Sequence, residues 1–265
     1  MVHGVVRADE PGPIVVEVPH AGLVVDEIAA RFTTMPPDAV AADALLADAD
    51  LGADVVWEGT EQVGVTRVVA GTHRWVIDLN TDPRPPPGPP FYEKDPAPRA
   101  VIRRSKAGVS WRQEAVPREE TERRIRDILE PYHAAIDAEL ERSRRVHGRV
   151  LLLASHTFHR TTEADVVVGS LAGRSAPREL RDAVAEVFRG AGLSVALETP
   201  FPGGFSLHRH AALDGGIAAL QIEIARGLLT SDPAHRTLSA TAVARFGAVM
   251  TDIGRAGREI LGTWP

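Results

Sequence analysis

The sequence contains no cysteine, few aromatic residues and no long apolar segment. Without cysteine there can be no disulfide, thiol nucleophile or thiolate ligand, so a metal ion would need histidine, aspartate or glutamate as its ligands. No apolar run approaches the roughly 20 residues that span a bilayer, and the N-terminal residues lack the basic and apolar regions of a secretory signal. We therefore expect a cytoplasmic protein that does not insert into a membrane.

Positive charge is also scarce. Lysine and arginine total 30 against 36 aspartate and glutamate residues, which gives a net charge of −6. This balance provides no overall positive field to attract a phosphate backbone, so nucleic acid is a poor candidate partner. The 265 residues, of which 44% are hydrophobic, suffice for a sizeable core. Nothing in the sequence indicates the oligomeric state.

Short apolar segments alternate with amphipathic ones along the chain. The predicted strands lie at 14–18, 66–70, 75–79, 150–154, 165–168, 194–197 and 217–225. The predicted helical regions lie at about 37–64, 117–147, 177–188 and 242–260. This alternation predicts an α/β fold: a single domain over residues 1–265, with a mixed, largely parallel sheet flanked by helices.

A proline-rich segment interrupts the alternation. Eight prolines lie between residues 81 and 98, a density that forbids a helix or a central strand. The segments on either side belong to one alternation of strands and helices. We therefore interpret 81–98 as a stiff loop of a single domain, with a linker between two domains as the alternative.

Polar residues lie where three predicted strands end. His20 follows strand 14–18, Asn80 follows strand 75–79 and His156 follows strand 150–154. In such sheets ligands bind beyond the carboxyl ends of the strands. Two histidines with an aspartate nearby match the ligand set of a catalytic zinc ion. An ordinary hydrogen-bonding role for each histidine is the alternative.

Glu223 is a carboxylate inside the apolar segment 218–224. Such a group must be paired, must bind a metal ion or must have a shifted pKa. A catalytic acid–base role and a structural ion pair with Arg226 or another basic residue both remain open. Asp78, between Ile77 and Leu79, is similarly open to a catalytic or a backbone-capping role.

The segment from Phe201 to His210 combines glycines with aromatic and basic side chains. His208, Arg209 and His210 are suited to recognising a carboxylate, although the segment can equally be a plain surface loop. The remaining histidines form no recognisable constellation, and we expect them to be structural or exposed. They are His3, His73, His133, His147, His159 and His235.

Eight short motifs occur in a characteristic order. They are Val18–Gly22, Asp48–Gly52, Arg74–Asn80, Pro131–His133, Ser155–Thr157, Val168–Gly173, Pro202–Gly204 and Leu220–Ile224. In this order and spacing they resemble the N-formylglutamate amidohydrolases, over roughly residues 14–230. The resemblance implies a phosphorylase/hydrolase-like α/β fold similar to that of zinc carboxypeptidases and aspartoacylases. It also implies hydrolysis of a small amide such as N-formyl-L-glutamate.

The same resemblance implies roles for individual residues. By position, His20 and His156 would be zinc ligands, and Asp50 would be the third, with Asp48 as the alternative. Glu223 would be the catalytic carboxylate. Arg74 and Asn80 would face the substrate, polarising its carbonyl or holding its carboxylate. Another divalent metal could occupy the same ligand set.

One residue departs from the family pattern. The family usually continues Asp-Leu-Asn with arginine, whereas Thr81 follows Asn80 here. A guanidinium pairs with a carboxylate through two hydrogen bonds, which threonine cannot replace. Either Arg84 or Arg209 therefore compensates in substrate binding, or the substrate is not N-formylglutamate.

Together these observations predict a zinc-dependent amidohydrolase acting on a small N-formyl or N-acyl amino acid. A metal-activated water would attack the amide carbonyl, and Glu223 would pass its proton to the leaving amine. One alternative is a deacylase or carboxypeptidase-like hydrolase of a different amide. Another is a metal- or ligand-binding relative without turnover.

Overall fold

A seven-stranded sheet of short β-branched segments forms the centre of the computed structural model. The structure describes residues 3–31, 33–34, 38–84, 112–113, 116–159 and 162–265. The strands are β1 (His3–Val6), β2 (Ile14–Val18), β3 (Thr33–Thr34), β4 (Thr66–Ala70), β5 (Arg112–Gln113), β6 (Val150–Phe158), β7 (Val166–Gly169), β8 (Val195–Leu197) and β9 (Ile217–Ala225). The large sheet has the order β1-β4-β2-β6-β9-β7-β8, and β3 pairs separately with β5.

The sheet is mixed, with a parallel centre. Strands β4, β2, β6 and β9 run parallel to one another. At one edge β1 is antiparallel to β4, and at the other β7 is antiparallel to β9 while β8 runs parallel to β7. The carboxyl ends of the four central strands therefore meet at one edge, and the predicted fold class is confirmed.

Helices cover both faces of this sheet. They are α1 (Glu27–Ala30), α2 (Asp38–Asp48), α3 (Arg118–Arg124), α4 (Glu130–His147), α5 (Arg178–Gly190), α6 (Phe205–His210) and α7 (Ala240–Gly262). A π-helical turn at Ile125–Leu129 joins α3 to α4. Within the described ranges, none of the helices combines the length and the apolar character that a membrane crossing requires.

Two apolar clusters lie on opposite faces of the sheet. Ile14 and Val16 of β2 pack with residues of α5 and α7, whereas Val15 packs with residues of α4. Successive residues of a strand point to opposite faces, so an uninterrupted β-branched run fills both clusters at once. Each fully buried aliphatic side chain contributes roughly 1.5–3 kcal/mol. The central strands are thereby held rigidly, as a site at their ends requires.

The segment 75–79 is not a strand, so that prediction is wrong. It forms turns, in which Val76 N donates to His73 O over 2.9 Å and the Asp78 carboxylate accepts from Asn80 N. Trp75 and Ile77 are fully buried. Their apolar pattern therefore reflects burial of an irregular segment beneath helices.

The predicted helical region 37–64 is also shorter than expected. Helix α2 ends at Asp48, and 3₁₀ turns follow at Val55–Trp57 and Thr60–Val63. Gly52, between α2 and these turns, has φ of +87°, a left-handed conformation that one continuous helix over 37–64 could not contain. Residues 85–98 of the predicted proline-rich loop lie outside the described residues, and 81–84 have no regular structure.

Gly254 of α7 provides a test of the packing. A Cβ atom there would lie 2.7 Å from Val63 Cγ2 and 2.9 Å from Val65 Cγ2. We expect Gly254→Ala to lower the free energy of unfolding by about 1–3 kcal/mol, because the core must shift to admit the methyl group. Chemical denaturation measures the change.

Gly190→Ala is the matched control, since nothing lies within 4 Å of a Cβ atom at that position. We expect this variant to be as stable as the wild type or slightly more stable, because alanine favours the helix. Equal destabilisation of the two variants would contradict the described contact between α7 and residues 63–65.

Candidate metal centre

Three of the predicted site residues converge beyond the carboxyl ends of the central strands. His20 lies two residues after β2, Asp50 two residues after α2, and His156 within β6. Each offers one ligand atom, all three atoms lie within 4.8 Å of one another, and all three residues are buried. We call these residues the His–Asp–His cluster. His156 lies inside its strand because β6 stays paired with β9 as far as Phe158, beyond the predicted end.

Asp50 is the centre of the cluster. Its Oδ2 lies 2.8 Å from His156 Nδ1 and 3.3 Å from His20 Nδ1. Burial raises the pKa of Asp50, but hydrogen bonds from His156 and His20 outweigh it and hold the pKa well below its usual range. The carboxylate is therefore ionised at neutral pH, which is the state a metal ligand requires.

Asp78 and Arg74 support the cluster from behind. His20 Nε2 lies 2.9 Å from Asp78 Oδ1, and Arg74 Nη2 donates to Asp78 Oδ2 over 2.8 Å. Arg74 Nη1 also lies 3.5 Å from Asp50 Oδ1. Burial raises the pKa of Asp78, but His20 and Arg74 outweigh it and the pKa falls well below its usual range. Asp78 also accepts from Asn80 N, so the structure contains the backbone-capping contact together with the bonds to His20 and Arg74.

This arrangement fits a cation at the cluster. A carboxylate only accepts hydrogen bonds, so Asp78 requires the proton of His20 on Nε2. In neutral His20 the Nδ1 lone pair then faces the Asp50 carboxylate, and the two repel each other. A proton or a metal ion between them removes this repulsion. Accordingly, burial and Arg74 lower the pKa of His20, but Asp78 and Asp50 outweigh them and the net pKa is raised. A carboxylate behind a histidine is also the usual support of a metal-binding histidine.

The two candidate aspartates have different partners at the end of α2. Asp48 lies on the side of Trp75, whose indole Nε1 donates to Asp48 Oδ2 over 2.7 Å. Asp50 instead lies between the histidines, and its main-chain N donates to His20 O over 2.9 Å. The structure therefore brings Asp50 to His20 and His156, as the sequence argument favoured.

Arg226 holds this end of α2 in place, a role that the sequence did not reveal. The side chain is buried and donates to the carbonyls of Leu46, Ala47 and Ala49. His73 and His159 bond the neighbouring carbonyls of Leu45 and Ala47. These side chains satisfy carbonyls that a helix end leaves without a partner. An arginine directly after a strand carries no signal for such a role.

A cavity of about 410 Å³ opens onto the cluster. Its lining includes His20, Ala47, Asp48, Asp50, Arg74, Asp78, Asn80, Thr81, His156, Thr157, Phe158, His159, Phe201, Glu223 and Arg226. We call it the first cavity. It contains the predicted ligands, the predicted catalytic Glu223 and two of the predicted substrate-facing residues, Arg74 and Asn80.

Glu223 lies beside His156 at the same level of the sheet. The two residues are register partners in the parallel pair of β6 and β9, so their side chains share a face. Gln221, two residues earlier on that face, donates from Nε2 to Glu223 Oε1 over 3.0 Å. This bond holds the carboxylate in one orientation at the wall of the first cavity.

Asn80 reaches the cluster from the irregular segment after Asp78. Its Oδ1 accepts from Ser206 N over 2.9 Å, which leaves Nδ2 facing His156 Nε2 at 3.3 Å. A Cβ atom on Gly204 would overlap the Asn80 amide, at 2.3 Å from Nδ2. Glycine at 204 is therefore required by the close approach of this loop to Asn80.

Arg84 and Arg209 do not line the first cavity. They line a second cavity of about 950 Å³, which shares Asn80 and Thr81 with the first. Arg209 donates two hydrogen bonds to Glu130, and Arg84 is exposed and bonded to Asp82. Both predicted substrate cations are thus separated from the His–Asp–His cluster and already have acidic partners.

Comparison with known proteins identifies the relatives of this chain. The family model described as N-formylglutamate amidohydrolase matches residues 12–230. The chain belongs to the N-formylglutamate amidohydrolase family. An N-formylglutamate deformylase from Pseudomonas putida is 26% identical over 224 residues, covering 81% of this chain and 80% of the relative. A second, from Pseudomonas aeruginosa, is 25% identical with the same coverage.

A solved structure agrees with the α/β fold described above. The crystal structure of an N-formylglutamate amidohydrolase from Ralstonia eutropha JMP134 matches with a TM-score of 0.80 and 24% identity, covering 98% of each chain. The predicted family resemblance over residues 14–230 is confirmed, with nearly the same bounds. The family model covers residues 12–230, which include all three residues of the His–Asp–His cluster.

Asp78→Asn tests the support behind the cluster. The variant keeps the size of the side chain but weakens its bonds to His20 and Arg74. We expect the affinity for Zn²⁺ to fall by roughly 10–100-fold, the usual effect of removing such a support. Competition titration with a chromophoric chelator measures the affinity.

Asp252→Asn, on the exposed face of α7, is the control and should bind Zn²⁺ like the wild type. Circular dichroism of both variants checks that the fold is retained. An unchanged affinity in Asp78→Asn would mean that the histidine does not depend on this carboxylate for binding.

Proposed function

We propose that this amidohydrolase-family protein is a metal-dependent hydrolase of the amide bond in a small N-formyl or N-acyl amino acid. The observation that carries the proposal is the convergence of His20, Asp50 and His156 beside Glu223 in one cavity. The names of the Pseudomonas relatives, both N-formylglutamate deformylases, support the substrate class. N-formylglutamate is therefore the first substrate to test.

The His–Asp–His cluster would hold the metal ion in this proposal. Zn²⁺ is our first candidate, because two histidines and one carboxylate leave a coordination position open, and another divalent ion is the alternative. When bound, such an ion supplies a Lewis acid for an amide carbonyl and lowers the pKa of water. Metal analysis of the purified protein tests this assignment directly.

Glu223 would act as the general base and then as the general acid. Its side chain lies on the wall of the first cavity, and the bond from Gln221 fixes the orientation of the carboxylate. In the proposed reaction Glu223 takes a proton from the attacking water and returns it to the leaving nitrogen, so that the amine departs neutral. One carboxylate then serves both steps without a second titratable group.

Arg74 and Asn80 would act on the substrate as fixed polar groups. The guanidinium of Arg74 is held by Asp78 and faces Asp50, so it does not need to move during the reaction. Such a fixed cation can stabilise the negative charge that develops on the carbonyl oxygen. Asn80 lies beside His156 and offers its amide to the same region.

Glu223→Gln is the direct test of this mechanism. We expect turnover to fall by at least about 100-fold, because glutamine cannot accept and return a proton. The metal content and the melting temperature should stay close to those of the wild type. A coupled assay of formate or amine release, run beside metal analysis and thermal melting, measures all three.

Glu139→Gln is the matched control. Glu139 is also buried but pairs with Arg7 and Arg142, away from the first cavity. We expect it to lower stability with little change in turnover. If Glu223→Gln behaves in the same way as this control, Glu223 has only a structural role.

The choice of substrate depends on position 81. Thr81 lines both cavities, whereas Arg84 and Arg209 line only the second and are bonded to Asp82 and Glu130. In this proposal a substrate with a second carboxylate either draws one of these arginines from its partner or binds weakly. Hydrolysis of a different N-acyl amino acid is the second candidate function, and Thr81 favours it.

Thr81→Arg tests this interpretation. A guanidinium at the boundary of the two cavities should pair with the side-chain carboxylate of N-formylglutamate and contribute about 1.5–3 kcal/mol. We expect kcat/KM for N-formylglutamate to rise by roughly 10–100-fold over that for N-formylleucine. Kinetics on the two substrates measure the ratio, with Thr81→Gln as the control for size.

Arg84→Ala and Arg209→Ala complete this test. If either arginine compensates for Thr81, its removal should raise KM for N-formylglutamate. Efficient wild-type hydrolysis of N-formylglutamate that neither substitution affects would show that the substrate carboxylate binds elsewhere.

A further inference from the structure

Two buried histidines form a hydrogen-bonded chain behind the first cavity. His133 of α4 and His210 of α6 lie with Nδ1 and Nε2 2.8 Å apart. At one end, His133 Nε2 lies 2.9 Å from the main-chain oxygen of Leu79, and at the other, His210 Nδ1 lies 2.8 Å from Asp137 Oδ1. Neither histidine lines the first cavity or touches the His–Asp–His cluster. This hydrogen-bonded histidine pair therefore needs an explanation of its own.

The acceptors at its two ends determine where the protons lie. The Leu79 carbonyl can only accept, so His133 Nε2 must donate. Burial, and then the electrostatic effects of His210 and Arg209, lower the pKa of His133 to about 3. This ring is therefore neutral, and its Nδ1 accepts a hydrogen bond from His210. His210 must then donate from both nitrogens, one of them to the Asp137 carboxylate.

At its Leu79 end, the histidine pair is joined directly to Asn80. Leu79 precedes Asn80, so the bond from His133 fixes the peptide that carries the Asn80 side chain. Helix α6 binds Asn80 from the other side, because Phe205 N donates to Asn80 O over 3.2 Å and Ser206 N donates to Asn80 Oδ1. The same helix carries His210. The histidine pair thus fixes the positions of the Leu79 peptide and of helix α6, and the Asn80 amide is held between them.

We propose that His133, kept in its Nε2–H tautomer by the hydrogen bond that its Nδ1 accepts from His210, is a positioning residue that holds the Asn80 amide in the first cavity. It touches neither substrate nor metal ligand and acts through the Leu79 carbonyl. Its effect on turnover rests on the proposed function, whereas its hold on Asn80 does not. The two effects are therefore measured separately.

His133→Gln and His133→Met are the matched variants. Glutamine and methionine have similar size, and both lose the ring nitrogen that accepts from His210. Only glutamine keeps an N–H group that can donate to the Leu79 carbonyl. A purely structural role of His133 predicts that the two variants behave alike. A positioning role predicts that glutamine, but not methionine, keeps the Asn80 amide in its wild-type position.

Asn80 offers a direct readout, because it is the only asparagine in the sequence. Protein labelled with ¹⁵N-asparagine gives a single side-chain NH₂ signal, which reports on the surroundings of this amide. We expect the signal to keep its wild-type chemical shift in His133→Gln and to move or broaden in His133→Met. His147→Met, which removes a comparable bond from α4 to the Pro11 carbonyl away from the cavity, should leave the signal unchanged.

Histidine-selective ¹⁵N labelling tests the proton positions. At about pH 6, the histidine signals that disappear in His133→Gln should be those of a neutral ring with its proton on Nε2. The signals that disappear in His210→Gln should be those of a ring with a proton on each nitrogen. A proton on His133 Nδ1 would overturn the proposal, because the Leu79 carbonyl would then have no donor.

Kinetics connect the chain to the reaction. We expect kcat/KM of His133→Met to lie at least about tenfold below that of His133→Gln, because a displaced polar group costs this much or more. Equal kinetic losses together with an unchanged Asn80 signal would overturn the proposal. A wild-type protein that hydrolyses none of the N-formyl or N-acyl amino acids would instead refute the proposed function, and the Asn80 signal would still decide whether His133 positions it.

Discussion

The buried charge of Asp50 is the constraint on which the rest of the site depends. An ionised carboxylate away from water is costly unless several partners compensate it. His20, His156 and Arg74 provide this compensation, and Asp78 in turn balances His20 and Arg74. Because each group needs the others, the loops after β2, α2 and β4 must meet at β6. The charges therefore select one arrangement of these loops.

Helix α2 brings Asp50 to this point with its carboxyl end directed toward the cluster. A helix carries a partial negative charge at that end, which favours a nearby cation. Arg226 takes up part of this charge through the carbonyls of Leu46 and Ala47. The pKa of Arg226 is lowered by burial, an effect that Asp50 and then Asp48 oppose. The cost of burying this arginine is offset by Asp50 and Asp48, which it helps to position. The end of α2 and these two aspartates therefore stabilise each other.

The sequence predicted what depends on local pattern and missed what depends on contacts between distant segments. The β-branched runs at 14–18, 66–70 and 217–225 became strands with the predicted bounds, because burial on both faces leaves a distinct pattern. Segment 75–79 has the same composition but bends, because the Asp78 side chain bonds Asn80 N and draws in Arg74. His133 and His210 are 77 positions apart, so their contact has no local signal.

Position 81 can vary because it contributes little to this arrangement of charges. Thr81 donates from its main-chain N to Asp78 O over 3.3 Å, a bond that any residue except proline could make. The residues before it are constrained by their side chains, Asp78 through His20 and Arg74, and Asn80 through Ser206. A substitution at 81 therefore changes the wall shared by the two cavities without removing a partner from any buried charge. Among the described side-chain hydrogen bonds of Asp78, Asn80 and Thr81, those of Asp78 and Asn80 constrain the fold, whereas Thr81 is held only through its main chain.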